Sequence, residues 1–202
     1  MLVTDRHLAG GEDALLRTVD AAIDGGVNAV QLREKDMLPV DLLPLACRLR
    51  DITEGRALFL VNGPLEIALE AGADGVHLPE DAEPRAPPWT FTWGRSAHSV
   101  KSALMAMGEA PRHLIIGPIY WTPSHPNATP TGLDLIRELS QITRVPLIAI
   151  GGITPANARD VMQAGAHGIA VISAILGSDD PRAAALALAK AFEVVPVREF
   201  FP

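Results

Sequence analysis

The sequence predicts one (β/α)8 barrel, a TIM barrel, spanning residues 1–202. Two observations indicate this fold: a joint between helix and strand that recurs along the chain, and eight short apolar runs separated by helical segments. The length of 202 residues is below the usual barrel length of about 250 but within the range known for barrels. A doubly wound open sheet is the alternative that these observations leave open.

The recurring joint is a glycine at which a helix ends, followed at once by a run with strand character. It reads GGVNAVQL at 25–32, GADGVHL at 72–78 and GAHGIAV at 165–171. Glycine tolerates the positive φ of a helix C-cap, and the β-branched and apolar residues after it favour a strand. The pattern therefore predicts that helices and strands alternate.

Each element has a local signal of its own. The strands are predicted at 2–4, 29–33, 57–62, 75–78, 90–94, 113–117, 146–150 and 169–173. A helical apolar face precedes the second strand, with Leu15, Leu16, Val19, Ala22 and Ile23. Thr154 and Pro155 predict the start of a helix whose core face carries Ala158, Val161 and Met162.

Two proline-rich segments interrupt this alternation. The segment 79–88 contains four prolines and predicts a loop with little helix. The segment 121–132 follows the sixth strand, so in a barrel it lies on the catalytic face, where it could act as a lid.

Composition excludes several classes of protein. The net charge of −7 and the lack of a Lys/Arg-rich run argue against a nucleic-acid partner. No apolar run reaches the roughly 18 residues of a membrane span, and the first residues do not form a secretory signal. A lone Cys47 excludes a disulfide framework and is expected to be a small buried residue. We therefore expect a cytoplasmic protein, and a homo-oligomer is left open.

Polar side chains near the C-terminal ends of the strands are the candidate substrate ligands, because a barrel places its active site there. They are Gln31, Arg33 and Lys35 at the second strand, Asn62 at the third, His77 at the fourth, and Ser96 and His98 at the fifth. The two cations near the end of one strand favour an anion, with a buried polar cluster as the alternative. Asn62 could fix a ring or cap the next helix, and the histidines could be structural or catalytic.

The last two strands predict a phosphate site. Gly151 and Gly152 follow the seventh strand, and the segment from Ser173 to Gly177 after the eighth is long enough for one extra helical turn. Glycines let backbone N–H groups approach an anion, and barrel enzymes commonly hold phosphate at this place. The alternative is that the glycine pair only forms a tight turn.

Several spaced motifs along the chain belong together. They are QLREK at 31–35, GVHL at 75–78, SAH at 96–98, GPIY at 117–120, IGGI at 150–153 and VISAI at 171–175. In this order they resemble the thiamine phosphate synthase and TenI superfamily, and the resemblance runs from residue 4 to residue 175. It implies a barrel of thiamine biosynthesis in which Gly151, Gly152, Ile172, Ser173 and Ala174 hold the phosphate of a small-molecule thiazole phosphate.

The two branches of the superfamily differ in their metal requirement. The synthase joins an aminopyrimidine methyl pyrophosphate to a thiazole phosphate with the help of Mg²⁺, which needs carboxylates. Synthases carry Asn-Asp where this chain has Asn62 and Gly63, and a lid lysine where it has His125. The TenI-type tautomerases match this chain in Asn62 and Gly63, in HLP at 77–79 and in GRSAHS at 94–99.

The sequence therefore favours a TenI-type thiazole tautomerase, which moves a proton without a cofactor. The TenI histidine aligns with Pro118, so His98 or His125 would carry the proton, while Gln31, Arg33 and Asn62 orient the ring and its carboxylate. The alternative is a synthase in which Arg33, Lys35, Thr122 and Ser124 meet the pyrophosphate and Glu80 or Asp81 recruits Mg²⁺. A non-catalytic thiazole-phosphate binder is the third hypothesis.

Overall fold

The computed structural model describes residues 1–83, 91–124 and 126–190, and its strands form a parallel barrel. The eight strands are hydrogen-bonded in the order of the sequence, so every strand pairs with the next. Their bounds are β1 Leu2–Val3, β2 Ala29–Leu32, β3 Leu58–Val61, β4 Gly75–Leu78, β5 Thr92–Ala97, β6 His113–Ile116, β7 Leu147–Ile150 and β8 Gly168–Ala170.

The sheet closes between its first and last strands. Leu2 pairs with Val171 just beyond β8, the Val3 amide donates to the Val171 carbonyl at 2.9 Å, and the Val171 amide donates to the Met1 carbonyl at 3.1 Å. A closed barrel leaves no free sheet edge. The predicted (β/α)8 fold is confirmed, and the open-sheet alternative is wrong.

Helices cover the outside of the barrel and follow every strand except β4, after which the described residues 79–83 form no helix. Their bounds are α1 Arg6–Ala9, α2 Glu12–Asp24, α3 Pro39–Thr53, α4 Leu65–Glu70, α5 Val100–Met107, α6 Gly132–Ile142, α7 Ala158–Gln163, α8 Ser173–Leu176 and α9 Pro181–Lys190. The apolar face predicted before β2 is the buried face of α2. Among the described residues, no helix has the length and apolar character to cross a membrane.

Strand alternation separates an apolar outer face from a polar inner face at the carboxyl ends of the strands. In β2, Val30 and Leu32 are buried in the core, whereas Gln31 between them lines the cavity at the end of the barrel. His77 in β4 lines the same cavity between the core residue Val76 and the half-buried Leu78. Polar residues at alternate positions therefore meet inside the barrel mouth.

Three predicted elements have a boundary that differs from the structure by more than one residue, whereas the other strands agree to within one residue. β5 is paired with β6 as far as Ala97, so Ser96 lies within the strand rather than after it. Ser173 begins α8, which is the extra turn that the sequence predicted. α7 starts at Ala158 because the Thr154 carbonyl first accepts the amides of Asn157 and Ala158 in a turn.

The expectation for Cys47 is also wrong. This thiol is exposed on α3 because the buried face of that helix is formed by Leu42, Leu45, Ala46 and Leu49. A residue inside an apolar stretch of a surface helix can still face solvent, because only one face of the helix packs against the core.

Candidate active site

A cavity of about 710 Å³ opens at the carboxyl ends of the strands. It brings together every described residue that the sequence singled out for binding or catalysis: Gln31, Arg33, Lys35, Asn62, His77, Glu80, Asp81, Ser96, His98, Thr122, Ser124, Gly151, Gly152, Ile172, Ser173 and Ala174. His125 lies outside the described residues. The volume is typical of a site for small molecules.

The glycine pair after β7 has a backbone that other residues adopt poorly. Gly151 has φ of 100° and Gly152 φ of 64°. A Cβ at Gly151 would lie 2.6 Å from the Pro118 Cβ, and one at Gly152 would lie 2.5 Å from the Trp121 carbonyl oxygen. The pair therefore lies tight against the loop after β6, and glycine is required for both conformation and space.

The loop after β8 lies beside this pair at the cavity wall. The first intrahelical hydrogen bonds of α8 come from the amides of Ile175 and Leu176, which donate to the Ile172 carbonyl at 3.2 and 3.0 Å. The amides of Ser173 and Ala174 precede these bonds, as first-turn amides of a helix do. Both residues line the cavity.

Two cations stand close together at the end of β2. The charge of Arg33 is the main cause that lowers the pKa of Lys35, with burial second, while Asp81 acts in the opposite direction. Burial is the main cause that lowers the pKa of Arg33. Since each cation disfavours the other, an anion bound between them would be favoured electrostatically.

Glu34, between these cations in sequence, is directed to a different partner. Its carboxylate accepts hydrogen bonds from the Arg6 amide at 3.1 Å and from the Arg6 guanidinium at 3.2 Å. The same guanidinium makes a two-bond contact with Asp36, each bond 2.6 Å long. Glu34 is thus held by the β1–α1 segment, while its negative charge also opposes the lowering of the Arg33 pKa by burial.

Two side-chain amides meet on the cavity wall. The Asn62 Nδ2 donates to the Oε1 of the buried Gln31 at 3.4 Å. The capping alternative for Asn62 is wrong, since the residue before α4 is Pro64 and no side chain caps that helix. The remaining amide groups leave both donors and acceptors for a heteroaromatic ring.

His77 forms a buried pair with Ser96 and a stack with His113. Its Nε2 lies 2.8 Å from the Ser96 Oγ, and its ring centroid lies 5.8 Å from that of His113. Burial, and then the charges of His113 and two arginines, lower the pKa of His77 well below its ordinary value. Burial lowers the pKa of His113 to about 4. Both rings are therefore neutral at pH 7.

Sequence reasoning missed His113 because this residue begins β6, whereas the search considered the carboxyl ends of the strands. Its signal is Gly94, its partner in β5. A Cβ at Gly94 would lie 2.1 Å from the His113 Nε2, so the ring occupies the space that a side chain would fill. A glycine inside a strand indicates such a close approach.

His98 and Glu80 form a second pair at the cavity rim. The Glu80 carboxylate contacts the Nδ1 of His98 and accepts the His98 backbone amide at 2.9 Å. The His98 side chain is 56% exposed, so this pair lies at the entrance and not in the core. The contact leaves Nε2 as the ring nitrogen with no bond to a described residue.

Asp81 differs from Glu80 in its partners. It lines the cavity and lies near enough to Lys35 to affect that amine, and its carboxylate accepts no hydrogen bond from the part of the chain that the structure describes. Within residues 1–83, 91–124 and 126–190 there is no cluster of three or more His, Cys, Asp or Glu with the arrangement of a metal site. Asp81 is thus a lone candidate carboxylate.

Comparison with known proteins places the chain in a family. The family model for thiamine monophosphate synthase matches residues 1–175. The chain belongs to this family. Its members act in thiamine biosynthesis, as the resemblance implied, and the match covers all eight strands and the cavity residues.

Proteins that are similar to this chain over most of its length are named as synthases or pyrophosphorylases of thiamine phosphate. A putative thiamine-phosphate synthase of Geobacter sulfurreducens is 42% identical over 194 residues, 93% of this chain and 91% of the relative. The thiamine-phosphate synthase of Chloroflexus aurantiacus is 41% identical over 190 residues, 91% of this chain and 88% of the relative. The solved thiamine phosphate pyrophosphorylase of Pyrococcus furiosus is 34% identical, with a TM-score of 0.86, and the alignment covers 95% of this chain and 94% of that one.

These names favour the synthase alternative over the tautomerase that the sequence favoured. The TenI-like signals are three short segments at 62–63, 77–79 and 94–99, whereas the similarity to proteins named synthases extends over nine-tenths of the chain. Three short segments that resemble the TenI branch weigh less than the similarity to synthases over the rest of the chain. The sequence-based expectation of the TenI branch is therefore not supported by the names of these relatives, which point to the synthase alternative.

Proposed function

We propose that this family member is a thiamine-phosphate synthase, which joins a pyrimidine methyl diphosphate to a thiazole phosphate. The observation that carries the proposal is a cavity with two separate groups of anion ligands. One group consists of the loops after β7 and β8, and the other combines the cations after β2 with hydroxyls after β6. Two phosphorylated substrates need two such groups, and the second group here has two cations and two hydroxyls, more than the single carboxylate of a tautomerase substrate needs.

The thiazole phosphate belongs with the glycine pair. Gly151 and Gly152 bring the backbone to the cavity without a Cβ, and the amides of Ser173 and Ala174 lie on the same wall. Backbone N–H groups in such loops bind phosphate oxygens directly. These contacts would fix one end of the substrate and place its ring toward the middle of the cavity.

The diphosphate belongs with Arg33, Lys35, Thr122 and Ser124. In the coupling, the bond between the pyrimidine methylene carbon and the diphosphate oxygen breaks, and a bond from the thiazole nitrogen to that carbon forms. Inorganic pyrophosphate leaves with the electron pair of the broken bond. Two adjacent cations and two hydroxyls stabilise the charge that develops on this leaving group.

The rings need orientation rather than acid–base chemistry. The Gln31 and Asn62 amides offer donors and acceptors at the wall, and the neutral His77 fixes the Ser96 hydroxyl at 2.8 Å. A hydroxyl held in this way can bond to a ring nitrogen or amine in one defined direction. We assign these four side chains to positioning the substrates.

The donor set fits a Mg²⁺ ion that takes most of its ligands from substrate and water. Mg²⁺ is commonly held by one or two carboxylates together with substrate phosphates, and Asp81 is the described carboxylate available for this. When bound, the ion would neutralise charge on the diphosphate as it leaves. Glu80 is engaged by His98, and Gly63 supplies no second carboxylate.

A tautomerase remains the second candidate, supported by the contact between His98 and Glu80. A carboxylate at Nδ1 orients an imidazole and directs the opposite nitrogen to exchange a proton with substrate. Proton removal from a carboxylated thiazole and its return at another atom need such a group and no metal. This activity would use the same phosphate loops and Arg33 for the carboxylate, and it would leave Lys35, Thr122 and Ser124 without a role.

One experiment separates the candidates. The purified protein is incubated with both synthase substrates and Mg²⁺, and separately with the carboxylated thiazole tautomer and EDTA, and each reaction is followed by NMR. We expect thiamine phosphate and pyrophosphate to form at equal rates in the first. Tautomer conversion without coupling would overturn the proposal in favour of the second candidate. Binding of thiazole phosphate with neither reaction would favour a non-catalytic binder.

The substitution Gly63→Asp tests the metal assignment. A Cβ at Gly63 would lie 3.4 Å from the Leu42 Cδ2 and 3.5 Å from the Val61 Cγ1, which are ordinary contacts. Restoring the second carboxylate should lower the Mg²⁺ concentration for half-maximal coupling by roughly tenfold. The matched control Gly63→Asn adds similar bulk without the charge. An equal effect of both variants would contradict the assignment of this position to the metal.

A further inference from the structure

The loop that carries Glu80 and Asp81 is held from behind by Arg95. This arginine in β5 is 5% exposed, and its guanidinium donates to the carbonyl of Glu80 at 3.3 Å and to that of Ala82. The two carbonyls flank Asp81 in the chain. Arg95 is absent from the cavity lining, so it acts on the opposite side of the loop from the substrates.

The buried charge of Arg95 is balanced by Glu109, which follows α5. The two groups approach to 3.1 Å without the alignment of a hydrogen bond, so the contact is an ion pair. A buried guanidinium is costly unless it has both a counter-charge and hydrogen-bond acceptors. Here the carboxylate supplies the first and the loop carbonyls supply the second.

The direction of these contacts determines where the loop side chains lie. Because the carbonyls of residues 80 and 82 turn toward Arg95, this part of the backbone is fixed at two points two residues apart. From there the Glu80 carboxylate reaches both the Nδ1 and the backbone amide of His98, and Asp81 reaches the cavity. A planar fork can serve two carbonyls and a carboxylate at once, which an ammonium group on a single carbon stem does less well.

We propose that Arg95, paired with Glu109, is a positioning residue that fixes the 79–83 loop so that Glu80 orients His98 and Asp81 faces the substrates. Its contacts with the loop do not depend on which reaction the cavity performs. The catalytic consequence for coupling rests on the proposed function, whereas the structural consequence is measurable in the protein without substrate.

The test compares Arg95→Lys with Arg48→Lys, a matched change in an exposed arginine that contacts Asp13 on the outer helices. Two reporters are read by ¹⁵N NMR: exchange of the His98 backbone amide with solvent, and the nitrogen shifts of the His98 imidazole, which report whether Nδ1 carries the proton. In Arg95→Lys we expect loss of the Nδ1–H form and roughly fivefold faster exchange of the His98 amide, which keeps its second acceptor, the Ser102 Oγ at 3.1 Å. Arg48→Lys should leave both unchanged.

Glu80→Gln distinguishes loop position from the carboxylate itself. It should alter the imidazole shifts as Arg95→Lys does, yet leave the exchange rate of the Ala82 amide, which donates to Pro79 within the loop, unchanged. Arg95→Lys should change the imidazole shifts and should also raise the exchange rate of the Ala82 amide. Unchanged His98 signals in folded Arg95→Lys would overturn the proposal, whatever the activity.

Glu109→Gln keeps the test valid if Arg95→Lys does not fold. This carboxylate is 21% exposed, so its loss is milder, and we expect roughly threefold faster His98 amide exchange with global stability followed in parallel. For the coupling reaction, the loop variants should lower kcat/KM by about tenfold at unchanged KM for thiazole phosphate, whose ligands lie after β7 and β8. Normal His98 signals in Glu109→Gln would contradict the positioning role of the Arg95–Glu109 pair. Altered His98 signals in the variants, with no coupling activity in any of the proteins, would count against the synthase assignment alone.

Discussion

Gly152 shows how one residue can be required by backbone conformation and by space together. Its φ of 64° equals that of Gly72, but a Cβ at Gly72 would meet nothing within 4 Å, whereas one at Gly152 would meet Trp121 and Tyr120. The two glycines therefore share a left-handed backbone conformation, but only at Gly152 would a side chain collide with neighbouring atoms.

We expect Gly152→Ala to weaken thiazole phosphate binding at least roughly tenfold, because the loop must move away from its neighbours and the backbone ligands with it. Isothermal titration calorimetry measures the loss. Gly72→Ala, which introduces a similar strain of about 1 kcal/mol, should leave affinity unchanged. Equal affinity of Gly152→Ala and the unchanged protein would refute the role of this loop.

His113 links a single residue to the pH dependence of stability. Its pKa of about 4 in the folded protein compares with an ordinary value of 6.5. Between these values the unfolded chain takes up a proton that the folded protein excludes, so stability falls as pH falls, by up to about 1.4 kcal/mol per pH unit. The lowered pKa of His77 acts in the same direction.

His113→Gln should therefore lose less stability between pH 6.5 and pH 4.5 than the unchanged protein. Urea unfolding at several pH values checks this slope. The control is His7→Gln, in which the replaced side chain is 70% exposed. An identical slope in the protein and in His113→Gln would show that the buried ring does not contribute.

At the scale of elements, Gly25 sets the distance between α2 and α9. It ends α2 with φ of −84°, which any residue can adopt, yet a Cβ there would lie 2.4 Å from the Arg182 carbonyl oxygen and 2.7 Å from the Ala185 Cβ. The first glycine of the recurring joint is thus needed for packing between helices, whereas the positive φ of the joint, 103°, belongs to Gly26.

Gly25→Ala should destabilise the protein by about 1–3 kcal/mol, since the helices must separate or strain. Chemical denaturation gives this difference. Gly63→Ala adds the same methyl group at a position with ordinary contacts and should change stability by less than about 0.5 kcal/mol. Comparable losses in both variants would point to chain entropy instead of packing.

At the scale of the whole molecule, closure of the barrel makes each strand depend on two neighbours. β1 pairs with β2 and with the segment just after β8, so the two ends of the described sheet meet in one structure. Opening the barrel at any strand exposes the apolar residues packed between strands and helices. We propose that the chain folds as one domain for this reason.

A single domain should unfold in one cooperative step. Far-UV circular dichroism reports on the helices, and fluorescence reports on the three tryptophans, of which Trp93 is buried in β5. The two signals should give the same midpoint in urea, because neither half of the barrel keeps its core without the other. Separate midpoints would indicate that part of the chain folds on its own.

The sequence by itself determined the alternation of helix and strand, the barrel, the family and the strand-end residues that line the cavity. These follow from local signals: glycine at helix ends, apolar runs of strand length, and polar residues at alternate positions near a strand end. Even the glycine pair after β7 was recognisable, because a backbone that needs positive φ restricts which residue can stand there.

Only the tertiary structure decided the pairings around the cavity. Arg6 meets Glu34, His77 meets His113, and Arg95 meets Glu109 and the loop after β4, although each partner lies 13 to 36 residues away along the chain. Such contacts depend on strand register and on the path of loops, which residue-by-residue preferences do not specify. The cavity residues could be named from the sequence, while the arrangement that orients them came from the closed barrel.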